Sequence, residues 1–252
     1  MRELLQAVAD GSLSPAEAEA ELAGYVTGEA GRFDAARDRR RGIPEGIFGA
    51  GKSAEQIVSL AETALETTGR ALCTRVSDRQ ADALEVALAE SFPNAIVDRR
   101  SSTVYVRTPA YELPSLDVTV GIATGGTVDG PVADEAELVC VDAGVDVDRV
   151  DDVGVAALDR ILDQLDRLRE ADVVIVCAGR EGALPTVVAG LVNTPVIGVP
   201  ISSGYGFGAD GEAALVGMLQ SCTVLSVVNI DAGFVAGSQA VLIARAIDGA
   251  RD

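Results

Sequence analysis

The chain of 252 residues has no histidine and no tryptophan, and Lys52 is its one lysine. The missing histidines exclude whole classes of mechanism. There can be no Ser-His-Asp triad, no His-paired cysteine and no His-ligated metal. Acid–base work falls to Asp, Glu, Cys, Tyr or Lys52. Cysteines are few: Cys73, Cys140, Cys177 and Cys222. Their wide spacing contains no C-x-x-C, so neither a zinc site nor a disulfide framework is suggested. Aromatic residues make up only 4%, which favours closely packed α/β layers over an aromatic-rich sandwich. Positive charge is scarce too: 20 basic residues against 39 acidic ones give a net charge of −19. Nucleic acid is excluded as a partner, because phosphate binding needs a basic surface. No stretch of 18 apolar residues occurs, and Met1-Arg2-Glu3-Leu4-Leu5 opens no signal-peptide core. The expectation is a cytoplasmic protein with no membrane partner. Arginine in place of lysine, among so many carboxylates, reads as adaptation to a salty cytoplasm that screens self-repulsion.

What is present is a substantial apolar content, 48% of residues, with 27 glycines. Length and texture predict two domains, 1–114 and 115–252. In the first, residues 1–30 read as two helices, the second opened by the capping pattern Ser14-Pro15-Ala16-Glu17. Residues 31–52, rich in Arg and Gly, read as an ordered loop. Capping patterns at Ser53 and Ser77 open helices to about Thr68 and Ser91, and strands are expected at Ala71–Val76, Ala95–Asp98 and Thr103–Arg107. After Pro114, apolar strands alternate with helices: Asp117–Ile122, Val173–Cys177, Pro195–Val199 and Leu225–Ile230 are strands, and 152–169 is one helix. This is the pattern of a parallel sheet covered on both faces. Ligands in such sheets bind beyond the carboxyl ends of the strands, where the glycine-rich loops are expected to converge.

Each motif has two readings. Gly46-Ile47-Phe48-Gly49-Ala50-Gly51-Lys52-Ser53 fits the P-loop pattern, but Arg39-Arg40-Arg41-Gly42 precedes it instead of a buried strand, so it is rejected as a triphosphate site. Lys52 is either a partner for a substrate phosphate or carboxylate, or a surface lysine. Thr124-Gly125-Gly126-Thr127 is either an anion-binding strand-to-helix turn or simply a tight turn. Glu181, beside Arg180, is a proton-transfer group or a helix N-terminal carboxylate. Cys140, Cys177 and Cys73 read as core thiols. Cys222 stands at an element junction, yet a helix C-terminus disfavours a thiolate, so its activation would have to come from elsewhere.

Several segments together resemble the LarB family of nickel-pincer cofactor synthesis. They are Asp152-Val153-Gly154-Val155-Ala156, Ala178-Gly179-Arg180-Glu181-Gly182-Ala183-Leu184-Pro185, Pro195-Val196-Ile197-Gly198-Val199-Pro200, Ser203-Gly204-Tyr205-Gly206, Met218-Leu219-Gln220-Ser221-Cys222 and Ser226-Val227-Val228-Asn229-Ile230-Asp231-Ala232-Gly233-Phe234. Arg41-Gly42-Ile43-Pro44-Glu45 and Gly51-Lys52-Ser53 also look like the family. The resemblance implies a flavodoxin-like, PurE-like three-layer domain behind a small α/β domain. It implies carboxylation of the pyridinium ring of nicotinic acid adenine dinucleotide and hydrolysis of the phosphoanhydride. The products would be pyridinium-3,5-biscarboxylic acid mononucleotide and AMP. By the same resemblance Cys222 is the nucleophile and Glu181 the motif glutamate. Substrate-binding residues are expected in the loops: Lys52; Thr124, Gly125, Gly126 and Thr127; Gly179, Arg180 and Gly182; Ser203, Gly204 and Tyr205; Asn229 and Asp231. No tightly bound cofactor is implied. CO₂ or bicarbonate is a substrate, Mg²⁺ would ride on substrate phosphates with no ligand nameable in the chain, and PurE kinship implies a homo-octamer. LarB sequences usually carry a histidine where Asp159 stands. The runner-up functions are a PurE-type carboxylase or mutase, against which the missing histidine counts, and a nucleotide-binding module with an inert Cys222.

Overall fold

The computed structural model describes residues 2–15, 18, 22, 24–203, 208 and 210–251. It divides into two compact units, Met1–Glu112 and Leu113–Asp252, two residues from the expected boundary.

The first unit begins with α1 (Arg2–Ala9) and a hairpin, β1 (Val26–Gly28) and β2 (Gly31–Phe33). The hairpin falls where the sequence was read as helix and then loop. Val26 pairs with Phe33, and both are buried; this cross-strand burial outweighs the helical bias of the Ala/Glu-rich residues before it. The capping pattern at Ser14 runs into residues 16 and 17, outside those described. The segment read as loop also holds α2 (Arg37–Arg41) and β3 (Gly46–Phe48). Next come α3 (Ala54–Thr68), β4 (Arg70–Thr74), α4 (Asp78–Ser91), β5 (Ile96–Arg100) and β6 (Thr103–Arg107). Both capping boxes form as spelled out. Ser53 Oγ accepts from Gln56 N at 3.2 Å while Gln56 Oε1 accepts from Ser53 N at 2.9 Å, and Ser77 and Gln80 repeat the exchange. Each box satisfies two amides that a helix start leaves open. The sheet order is β3-β4-β6-β5, and its core includes Ile57, Leu65, Leu84 and Leu88 from α3 and α4.

The second unit is a five-stranded sheet. Its elements are β7 (Thr119–Thr124), α5 (Gly130–Asp142), β8 (Asp146–Val150), α6 (Leu158–Asp163), α7 (Leu165–Glu170), β9 (Val173–Ala178), α8 (Ala183–Ala189), β10 (Val196–Pro200), α9 (Glu212–Leu219), β11 (Ser226–Val227) and α10 (Gly233–Arg251). All pairings are parallel and the order is β11-β10-β9-β7-β8. The chain therefore winds outward in both directions from β7 and β9, the order of doubly wound flavodoxin-like sheets, with a topological switch point between those two strands. Helices α5 and α10 pack on each other over one face, and α7, α8 and α9 cover the other. The fit of α10 on α5 is close enough that a Cβ at Gly237 would lie 2.6 Å from Ala136 O. Among the described residues no helix is long and apolar enough to cross a membrane.

Two expectations are corrected here. Strand β8, Asp-Val-Asp-Arg-Val, was not expected. It is an edge strand, and edges tolerate charge where central strands do not, so it shows no apolar run. The single helix over 152–169 is in fact a 3₁₀ turn, Val155–Ala157, followed by α6 and α7. Asp152 has φ +57°, which no helix admits. A Cβ at Gly154 would lie 2.5 Å from Gly125 O, and this close approach fixes the chain before the first turn. Gln164, at φ −105° and ψ 3°, then separates α6 from α7.

Candidate active site

The switch point opens into a cleft of about 540 Å³, lined by Gly125, Gly126, Val128, Asp129, Gly154, Val155, Ala156, Ala178, Gly179, Arg180, Glu181, Ala183, Leu184 and Ser203. Its size falls in the range of small-molecule sites. The loops after β7, β8, β9 and β10 build it. After β7 the chain turns at Gly125, whose amide donates to Cys177 O at 3.0 Å, so the turn is tied to the neighbouring strand. Thr124 lies buried beneath; its Oγ1 donates to Asp151 Oδ1 at 3.0 Å and accepts from Asp152 N at 3.1 Å. After β9, Arg180 is held at φ +54° and Gly182 at φ +67°. Two left-handed residues within three positions reverse the chain and leave Arg180 and Glu181 in the cleft wall. Non-glycine residues in this region cost energy and gather at functional sites. A Cβ at Gly182 would lie 2.5 Å from Ala214 O, and one at Gly217 would overlap the Glu181 carbonyl oxygen. The backbone of α9 is thus the floor on which the Arg180–Gly182 loop rests.

Asp129 was not singled out in the sequence. It is 4% exposed, and its Oδ2 accepts from Gly126 N at 2.8 Å. Burial pushes its carboxyl up to about 6, against the lowering effect of the Gly126 and Gly125 amides. The signal that would have found it is the spacing Gly126-Thr127-Val128-Asp129, an acid three residues after a helix-start position. The raised value carries a stability consequence. A carboxyl whose folded pKa lies above its unfolded value supports the fold fully below about pH 4, and that support is lost as pH rises through about 6. Asp129→Asn keeps an acceptor for Gly126 and removes the ionisation. Relative to wild type, the Asn variant is expected to gain on the order of 1–3 kcal/mol between pH 4.5 and pH 7.5. Urea unfolding at both pH values measures this, and an equal difference between the two proteins at both would refute it.

The expected site residues divide. Gly125, Gly126, Gly179, Arg180, Glu181 and Ser203 line the cleft. Thr124 underlies it, Thr127 begins the 3₁₀ turn at its edge, and Gly182 caps α8. Asn229 and Asp231 do not line it, which corrects the expected convergence of all loops. They follow β11, at the outer edge of the sheet and two strands away from β9. There Asn229 Oδ1 accepts from Ile230 N, while Asp231 Oδ1 accepts from Ser202 N at 2.9 Å and steadies the loop after β10. Gly204 and Tyr205 lie outside the described residues. Lys52 belongs to the first unit, where its ammonium donates to Phe48 O at 2.7 Å. Asp159 is exposed in the first turn of α6.

Cys222 is not part of this cleft. It is exposed in the turn after α9, whereas Cys73, Cys140 and Cys177 are buried. Burial pushes the thiols of Cys73 and Cys140 up to about 12 and raises that of Cys177 as well, so all three are poor nucleophiles. The neighbour of Cys222, Thr223, lies against Gly190 at the C-terminus of α8; a Cβ on Gly190 would be 3.9 Å from Thr223 Cγ2. Arg180 and Glu181 precede the N-terminus of the same seven-residue helix. That length of helix spans about 10 Å.

Residues 25–108 match the LarB/PurE-like N-terminal domain, and residues 119–252 match AIR carboxylase. The chain belongs to the LarB family. An uncharacterised protein of Methanocaldococcus jannaschii is 37% identical over 253 residues, covering 97% of each chain. The crystal structure of a PurE2 variant from Treponema denticola is similar over 53% of this chain and 81% of that one, with 22% identity and a TM-score of 0.41. LarB membership gives this chain its PurE-like α/β domain behind a LarB-type N-terminal domain, and a carboxylase-type role.

Proposed function

We propose that the protein carboxylates the pyridinium ring of nicotinic acid adenine dinucleotide and hydrolyses its phosphoanhydride, releasing pyridinium-3,5-biscarboxylic acid mononucleotide and AMP. The observation that carries the reading is the switch-point cleft, which sets Arg180, Glu181 and Asp129 around glycine loops in a chain with no histidine. A pyridinium ring is too electron-poor to attack CO₂. A thiolate that adds to the ring makes it a neutral, enamine-like dihydropyridine, whose carbon 5 is a nucleophile. After CO₂ has added there, a base removes the ring proton and the thiolate leaves, restoring aromaticity. Cysteine is the one nucleophile this scheme needs, and Cys222 is the exposed thiol among the described residues.

Because Cys222 is exposed in the turn after α9 and is not among the residues that line the cleft, the Cys222 that attacks belongs to a second copy of the chain, docked so that its post-α9 turn enters the cleft. The active form is therefore a homo-oligomer. Val216, Leu219 and Val224, on and after α9, are more than half exposed, as a surface that meets another copy requires. Glycine amides and the N-terminus of α5 suit the anionic substrate. A divalent cation such as Mg²⁺ would be carried on the dinucleotide's phosphates.

The test is an assay in high-salt buffer with the dinucleotide, bicarbonate and Mg²⁺, read by mass spectrometry. A biscarboxylated mononucleotide with AMP is the expected outcome; intact dinucleotide beside folded protein would refute the reading. Glu181→Gln is expected to slow product formation by about 10²-fold or more, the usual scale for a lost acid–base group. Wild-type turnover in that variant would remove Glu181 from the site's chemistry.

A further inference from the structure

Arg149, on β8, is not among the residues that line the cleft, yet two other segments meet on its guanidinium. Asp134 and Glu137, both on α5, take its Nη1, and Asp151, just past β8, takes its Nε at 3.0 Å. A guanidinium is flat and rigid, so it holds its partners in fixed directions. We propose that Arg149 is a positioning residue for the substrate: through Asp151 and the Thr124 hydroxyl it fixes the 152–156 wall of the cleft against the Gly125 turn. The carboxylation reading supplies only the ligand.

The chain of contacts has a direction. The Asp151 side chain is 56% exposed, and without Arg149 it would be an ordinary surface carboxylate. Held there, its Oδ1 also accepts from Thr124 Oγ1 at 3.0 Å. That acceptor aims the hydroxyl hydrogen, which leaves an oxygen lone pair for the Asp152 amide 3.1 Å away. Asp152 needs the hold. It sits at φ +57°, a conformation that costs a non-glycine residue energy and persists only where its surroundings enforce it. Arg160 secures its other side, donating from Nη1 to Asp152 Oδ2 at 3.0 Å. Directly beyond, Val153 N donates to Thr124 O at 2.9 Å, and Gly154 closes on Gly125. Gly154, Val155 and Ala156 then line the cleft together with Gly125 and Gly126. A shift at Asp152 therefore reshapes the cleft without touching a reacting group. The cluster also suits a salty medium. Arg149, Asp134 and Glu137 are mostly buried, and salt screens such pairs less than exposed ones.

The experiment compares wild type, Arg149→Lys, Thr124→Val, Thr124→Ser and Arg149→Lys combined with Thr124→Val, all as full chains. Kinetics with nicotinic acid adenine dinucleotide and bicarbonate are read beside amide hydrogen exchange. Thr124→Val is expected to raise KM on the order of tenfold, the scale of one lost hydrogen bond, with kcat much less affected. Arg149→Lys keeps the charge but loses the fork, and is expected to raise KM in the same sense. Thr124→Ser keeps the hydroxyl and is expected to stay near wild type. The combined variant should be no worse than Thr124→Val alone, because both changes cut one chain of contacts. Exchange should quicken at the Asp152 and Val153 amides while α10 keeps its rates; a general loss of stability would quicken both. A wild-type KM in Thr124→Val, KM factors that multiply in the combined variant, a Thr124→Ser protein as impaired as Thr124→Val, or exchange that quickens throughout would overturn the positioning role and leave the carboxylase reading standing. A wild-type protein that binds the dinucleotide without carboxylating it would overturn that reading alone, since dissociation constants then replace KM in the same comparison. A wild-type protein that does not bind it would overturn both.

Discussion

Cys222→Ala is expected to give a folded protein in which carboxylation falls by several orders of magnitude, whereas Cys177→Ala remains active and loses stability. Cys222 is exposed in a turn, and surface substitutions away from special features usually stay within about 0.5 kcal/mol. Its loss therefore reads almost purely on chemistry. Cys177 is buried in β9 directly below the cleft. The bond its carbonyl accepts from Gly125 is made by backbone and survives substitution. Removing the sulfur leaves a small void, costing about 1 kcal/mol or somewhat more. Turnover and urea unfolding measured on both variants separate the two effects, and equal activity would remove the nucleophile assignment. Thiol labelling adds an independent arm. Cys222 should label far ahead of the three buried thiols and be protected by the dinucleotide; ordinary labelling with no protection would favour a module that only binds.

The second large effect is expected where no reacting group is touched. Gly217→Ala, in α9, would stabilise an ordinary helix by about 1 kcal/mol. Here the added Cβ would overlap the Glu181 carbonyl oxygen, so either α9 or the Arg180–Gly182 loop must shift. A net loss of about 1–3 kcal/mol is expected, the usual scale for overpacking. Turnover should fall by more than the unfolded fraction explains, because Glu181 moves with its backbone. Denaturant unfolding together with turnover measures both. A Gly217→Ala protein that is more stable than wild type and fully active would show that the loop has room to spare.

Much of the fold was legible because its central strands are uniform. Val173–Ala178 is apolar at every position and buried at every position, and capping boxes with Gln at the third helical residue announced α3 and α4. What hid was structure whose reason lies elsewhere in the chain. Strand β8 carries two aspartates and an arginine because it is at an edge, and an edge is defined only by the strands that do not pair with it. The hairpin at β1–β2 exists through the burial of Val26 against Phe33. The break at 152–157 comes from Gly154 meeting Gly125, a contact between loops nearly thirty residues apart. The cleft was half legible. Glycine-rich strand ends marked three of its walls, but strand order decides which loops are neighbours, and this left Asn229 and Asp231 outside. Asp129 was hidden because its type and spacing fit a cap, and only its burial distinguishes it.

The position of Cys222 outside the lining of the cleft has a genetic consequence. If thiol and carboxylates meet only across copies, the two lesions belong to different half-sites. Chains carrying Cys222→Ala and chains carrying Glu181→Gln, each strongly impaired by itself, would complement when produced together. A mixed assembly contains some junctions at which an intact cysteine from one allele faces an intact glutamate from the other.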